Sequence, residues 1–392
     1  MNEMVRTERE LFDGGPPSRM QRSLGLVKPN EPRMVWRVIL AVLVGWVPLA
    51  VLAAAQDLAL GADRLRSLLL DFAVYARFLI TVPLFIVAEP VCFSRLGRTV
   101  RHFLDAGLVR EADRARFDAV VASTRRLRDA IVVELVAVLL AYVMIGALMR
   151  DVPSAVIPVW HRAGGSGSLA FSAAGWLHAL VSLPLLLVLF FGWLWRLFLW
   201  GRFLWCMSRL DLRLIPAHPD HAAGLQFVGY SLRAFSLLGM ALGAIVAGTV
   251  ADRVVHAGAS PAAYIHLIIA LVVCVVLLFG GPPLVFTGKL FYTKWRGTLE
   301  YGALATGVGG QFEHKWLTRP ESIDESALAV PDFSTTADLN QVVANVYDMG
   351  IIPLDLRNIL LLIVATLLPF VPVVCMAIPL DAILKHVAGL LL

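Results

Sequence analysis

The sequence predicts an all-α fold, a polytopic transmembrane helical bundle of six or seven spans with amphipathic cytoplasmic helices. Three observations predict it. Of 392 residues, 58% are hydrophobic and 16% charged, and the mean hydropathy is +0.75, outside the range of soluble domains. Apolar stretches long enough to cross a bilayer recur along the chain. The basic residues fall in alternate connections, nine arginines between positions 93 and 129 but only Arg150 and Arg162 in the next loop and Arg253 in the one after the fifth span. That alternation is an orientation signal. It accounts for the net charge of +5 and the pI of about 9.2 without a nucleic-acid partner.

Residues 1–33 carry six basic side chains and Gly-Gly-Pro-Pro at 14–17, which predicts a flexible arm kept in the cytoplasm. The run Ala53-Ala54-Ala55 resembles a processing site, but a long polar arm precedes it, and the first span, about 34–55, reads as retained. A second span, about 68–92, holds Asp71, Arg77 and Glu89, with Pro83 as an expected kink. The loop 93–129 reads as a helical hairpin, Arg95 to Ala106 and Arg110 to Leu127, with Gly107 as a left-handed stop.

The third span, about 130–149, contains Glu134 in its first turns, and a Gly/Ser-rich loop follows at 164–168. The fourth, 175–205, would be roughly 45 Å long as one helix, so it must tilt or leave the hydrocarbon layer. Its end carries Trp193, Trp195, Trp200 and Trp205 with Arg196, Arg202 and Arg209, a pattern expected of an interfacial belt. The fifth span, about 225–250, carries Arg233, and the sixth, about 262–286, ends in Gly-Gly-Pro-Pro.

Residues 288–356 form the largest polar piece. They comprise an amphipathic helix ending near Trp316, an acidic loop at Glu321, Asp324 and Glu325, and a helix from about Ala337 to Met349 capped by Thr335 and Asp338. A last segment, 357–392, holds a span broken by Pro369 and Pro372 and a tail too short to cross again. Domain organisation is thus an arm (1–33), six spans with the 93–129 hairpin (34–287), a cytoplasmic segment (288–356) and a last spanning or re-entrant helix (357–392).

Ionisable groups inside spans are the best pointers to function, because each costs about 2.5–3.5 kcal/mol at the bilayer centre unless paired or wet. Glu89, Glu134 and Arg233 fall at similar depth in the cytoplasmic half, which permits a polar pocket between the second, third and fifth spans. The alternative is that they lock helix to helix. Arg77 lies deeper, with Asp71, His178 and His266 as nearby candidates.

The loop His218-Pro219-Asp220-His221 has three readings. Asp220 can cap the fifth span, the loop can gate a ligand site, or the two imidazoles and the carboxylate can ligate a metal with help from a residue such as His102 or His314. The four cysteines are far apart and offer neither a redox pair nor a zinc site, and no cofactor is expected. No nucleotide-binding loop, metalloprotease, serine-hydrolase or prenyl-transferase motif is present in the sequence, which weighs against a primary pump and the commonest membrane enzymes.

Through ARFLITVPLFIVAEP, HPDHAAGL and STTADLNQVVANVYDMGIIP, the chain resembles uncharacterised bacterial integral membrane proteins with an HPDxxxGL-like loop. The resemblance spans most of the chain from the first helix onward. It implies a multi-pass protein of the bacterial inner membrane and draws attention to Arg77, Glu89, His218, Asp220 and Asp338, but it carries no activity. The expected function is binding or passage of a small solute or ion through a cytoplasm-facing pocket lined by Glu89, Glu134 and Arg233, with His218, Asp220 and His221 at its mouth. The alternatives are a non-catalytic scaffold or partner subunit and, third, a metal-dependent enzyme. Expected partners are the lipid bilayer and a second copy of the chain or another membrane protein.

Overall fold

The computed structural model describes residues 11, 14–15, 34–60, 63–151, 158–163, 171–317 and 332–377. Most of the basic arm, the 164–168 loop, the acidic loop and the final tail lie outside the described residues. Within them the fold is all-α, without a strand, and six helices are long and apolar enough to cross a membrane, or seven with the bent last pair.

The first span joins α1 (Met34–Gly45) to α2 (Val47–Leu60) across a break at Trp46, just ahead of Pro48, whose ring and missing N–H disfavour an unbroken helix there. The second runs from a short helix (Phe72–Tyr75) through a π-helix (Ala76–Thr81) into α3 (Val82–Asp105). This corrects one expectation and adds a feature at Pro83. The strain at Pro83 is taken up by the wider π turn immediately before it, and Arg95 to Ala106 is no separate helix but the end of α3. The reason is a continuous apolar stripe: Cys92, Leu96, Val100 and Phe103 stay buried past the predicted end. Gly107, at φ +64°, then turns the chain.

Helices α4 (Arg114–Arg128) and α5 (Ile131–Asp151) follow. The fourth span repeats the device of the second, with Ala173–Leu177, a π-helix (His178–Ser182) and α6 (Leu183–Met207), Pro184 again directly after the π turn. A proline lacks the N–H that would close an α turn and clashes with the carbonyl four residues back, and a widened turn relieves both.

The tryptophans of α6 divide. Trp193 and Trp200, seven positions apart, face the core at 4% and 0% exposure, whereas Trp205 is exposed with the Arg209 guanidinium 4.4 Å above its ring. Only the end of the expected belt is therefore at the surface.

Helix α7 (Ser231–Ala257) is the centre of the bundle. Its small residues let other backbones approach closely. A Cβ on Gly243 would lie 2.0 Å from the Thr366 carbonyl oxygen, and one on Gly248 would lie 2.4 Å from Cβ of Ala76. Helix α8 (Ile265–Gly280) and a 3₁₀ turn (Pro282–Phe286) lead into α9 (Thr287–Trp316), and α10 is Asp332–Tyr347. The last helix before the final span thus begins ahead of the predicted Thr335 cap; the Thr336 hydroxyl bonds the Asp332 carbonyl one turn back, inside a helix already under way. Helices α11 (Leu356–Leu367) and α12 (Phe370–Ala377) meet at 47° around Pro369.

At the arginine-rich end the connections form a bonded layer. Arg213 N–H donates to the Leu108 carbonyl (2.8 Å), Gly350 N–H to that of His221 (2.7 Å), and the Lys289 ammonium to that of Leu210. At the opposite end the Arg64 guanidinium donates to the Ala163 carbonyl (3.0 Å), tying the first and third loops together.

Candidate functional site

Glu89, which α3 carries into the bundle, meets two cations from other spans. Its Oε2 accepts from Arg37 of α1 at 2.5 Å and its Oε1 from Arg196 of α6 at 2.9 Å, and all three side chains are at most 7% exposed. Arg196 also sits over the rings of Phe93 (5.1 Å) and Trp193 (5.0 Å) and reaches the Gly14 carbonyl. Charges this far from water persist only when paired. The triad clamps the first, second and fourth spans.

Arg233 is exposed. It donates to the Asn358 side-chain oxygen of α11 and lies over the Tyr230 ring at 5.2 Å, while its carbonyl accepts from Arg95 at 2.7 Å. Glu134 is half-buried in the first turn of α5. Glu89, Glu134 and Arg233 are absent from the lining of two cavities at this end, of about 560 and 400 Å³.

The 218–221 loop does line a cavity, of about 400 Å³, together with His102, Arg213, Gln226 and Tyr230. Asp220 builds the loop. Its Oδ1 accepts from the Ala222 and Gly224 amides at 2.9 and 3.0 Å, and its Oδ2 from the Gln226 amide at 3.1 Å, at the first turn of the fifth span. One carboxylate thus satisfies three amides, which is why an aspartate serves here. His218 Nδ1 lies 2.8 Å from Asp220 Oδ1 and 3.2 Å from the Asp220 amide, so the ring is held through one nitrogen, and His218 is among the residues that line the cavity.

His221 does not line the cavity; it and Ala223 hold φ of +53° and +54°, left-handed backbone that side-chain-bearing residues seldom adopt. Among the described residues no group of three or more His, Cys, Asp or Glu side chains is arranged to hold a metal.

Arg77 stands at the opposite end, in the first π-helix. His178 stands in the second, its ring 5.7 Å from that of Phe78. Around them Asp71 Oδ2 accepts from Trp160 Nε1 (3.0 Å), Asp252 Oδ1 from the Phe72 amide (2.8 Å), and His161 Nε2 lies 2.9 Å from His178 Nδ1. His178 Nε2 and the Ser182 hydroxyl, one turn apart, are buried without a hydrogen-bond partner. Burial lowers the pKa of His161 from 6.5 to about 4, Asp71 opposing and Arg77 adding to the effect, so its ring is neutral at physiological pH. His266, weighed as a companion of Arg77, shares no contact of this cluster.

Sequence reading missed Trp160, His161 and Asp252 here, since they come from loops and a helix end. The signal it could have used is the pair Val82-Pro83 and Leu183-Pro184, which marks two distorted turns inside apolar runs. In comparisons with protein-family models, curated proteins and solved structures, nothing matches the chain.

Proposed function

We propose that this is a multi-pass protein of a bacterial inner membrane, amino terminus and arginine-rich layer in the cytoplasm, that binds a small anionic solute in the cavity under the 218–221 loop. The observation that carries this reading is the Asp220 arrangement: a carboxylate spent on three amides holds His218 by one nitrogen beside a cavity that also receives Arg213 and His102. Two imidazoles and a guanidinium recognise negative charge, and a volume of about 400 Å³ suits a small molecule. The left-handed residues next to it are strain that an ordinary connection has no reason to hold. Orientation follows from the nine arginines between 93 and 129. The buried triad and the π-helix cluster support passage or sensing across the membrane, because ionisable groups at such depth are otherwise selected against.

The test is a thermal-shift screen of the purified protein against small mono- and dicarboxylates and inorganic anions. A stabilising anion whose effect is lost in His218→Ala and Arg213→Gln but kept in Arg126→Gln supports the site. Equal responses in all of these proteins would remove it.

A further inference from the structure

Beside the His218 cavity, and separated from it by the wall of Arg213 and Ile215, lies a larger one of about 560 Å³. Its lining contains four cations, Arg110, Arg213, Lys289 and Arg296, against two carboxylates, Asp211 and Glu300. The carboxylates are already engaged. Asp211 pairs with Arg110 at 2.6 Å and Glu300 with Arg296 at 3.7 Å, both pairs at the surface and weak. The cavity therefore keeps two positive charges in excess. Lys289 is half-buried and donates to the Leu210 carbonyl, and burial lowers its pKa, an effect opposed by Asp211 and Asp113.

Location narrows the ligand. The cavity opens along the first turns of α9, immediately after the sixth span and its Pro282–Phe286 turn, and so at the level where a span leaves the membrane. Next to the basic side chains α9 exposes Phe291, Tyr292, Trp295 and Leu299, each at least 58% accessible. Tyr292 both lines the cavity and belongs to that stripe. Cations in a pocket with an aromatic and aliphatic stripe alongside it are the two halves of a site for an amphiphile with an anionic head.

We propose that this cavity binds a phosphate-bearing anion, the headgroup of an anionic phospholipid whose chains run along the exposed face of α9. Phosphate suits the site better than carboxylate because its oxygens diverge and can meet Lys289, Arg213 and Arg296 from different sides. A free phosphorylated solute would share this chemistry, and the experiment separates the two sources. The proposal does not rest on solute binding in the His218 cavity.

The full-length protein in neutral detergent is titrated with micelles containing phosphatidylglycerol, with matched phosphatidylcholine micelles, and with inorganic pyrophosphate without lipid. Bound lipid is counted by native mass spectrometry, and unfolding temperature is followed in parallel. Phosphatidylglycerol should bind in preference to phosphatidylcholine. Lys289→Gln with Arg296→Gln should weaken it by roughly thirtyfold, at about one kcal/mol for each cation removed. Arg126→Gln, at an exposed arginine outside the cavity, should leave it within about twofold, as surface changes away from a site do.

Arg296→Gln alone, at an exposed position, keeps the test valid if the Lys289 change disturbs folding. Pyrophosphate binding with the same residue dependence and no lipid preference would support the phosphate site and assign it a soluble ligand. Equal binding of the two lipids without pyrophosphate binding, or equal loss in the cavity and Arg126 variants, would overturn the proposal.

Discussion

Glu89 accepts two guanidiniums in a place that water does not reach, and the depth of that carboxylate was legible from its position in an apolar run. Its partners were not. Arg37 lies inside the first span and is not singled out in the sequence, and Arg196 reads as part of a belt, because sequence distance says nothing about which helix faces which. The pairing has a measurable cost of removal. Glu89→Ala should destabilise the protein by about 3–5 kcal/mol, as expected when buried charge loses its counterpart. Glu89→Gln, which keeps hydrogen-bond acceptance, should cost less. Unfolding in detergent orders the variants, and a Glu89→Ala protein as stable as the parent would refute the clamp.

His161 adds a pH prediction with a definite sign. Its folded pKa of about 4 lies below the 6.5 of an exposed histidine, so on acidification the unfolded chain takes up a proton first. Stability is then fully present above pH 6.5 and is lost as pH falls toward 4, by up to about 3 kcal/mol. His161→Phe should flatten that part of a stability-against-pH curve.

Among elements, α7 shows how far glycine placement decides packing. The Gly239–Gly243 pair stands at the spacing of close helix contacts in membranes, and the last span occupies it through Thr366. Because the Gly243 contact is backbone on both sides, neither helix can yield locally. Gly243→Ala should cost about 1–3 kcal/mol, whereas Gly146→Ala, where a methyl would meet nothing, should be neutral or slightly stabilising. Limited proteolysis after α11 and thermal unfolding both report this, and equal stabilities would show that the last span docks elsewhere.

The small residues of α7 were visible in the sequence, but their partner was not, since Thr366 lies beyond the large polar segment. Hydropathy located the spans well and their ends poorly. The second ran on to Asp105 because its buried stripe continues beneath the arginines on its other face. The two π turns escaped because period counting assumes 3.6 residues per turn, which a Pro-strained segment does not keep.

For the whole molecule, the alternation of arginine-rich and arginine-poor connections fixes an expected sidedness. In a cysteine-free background, Arg116→Cys should react with a membrane-impermeant maleimide only after cells are opened, and Ser260→Cys in intact cells. Labelling of both from one side would break the six-span count. This level was the most readable, because transfer of apolar helices into a bilayer depends on composition more than on contacts. The cavities were the least readable. They are voids between the 93–129, 206–230 and 288–356 connections, and only side-chain packing in three dimensions decides where such voids fall.

The Glu89 triad also bears on how the chain is made. Synthesis delivers Arg37 first, Glu89 52 positions later and Arg196 a further 107 after that. Until the second span emerges, the first lacks the Glu89 carboxylate, and a cation in an apolar span favours the headgroup layer. Once Glu89 arrives the two become a neutral hairpin. The fourth span then adds Arg196, which shares the same carboxylate and leaves the finished set with one net positive charge, so the order of translation is also the order in which the buried charges meet.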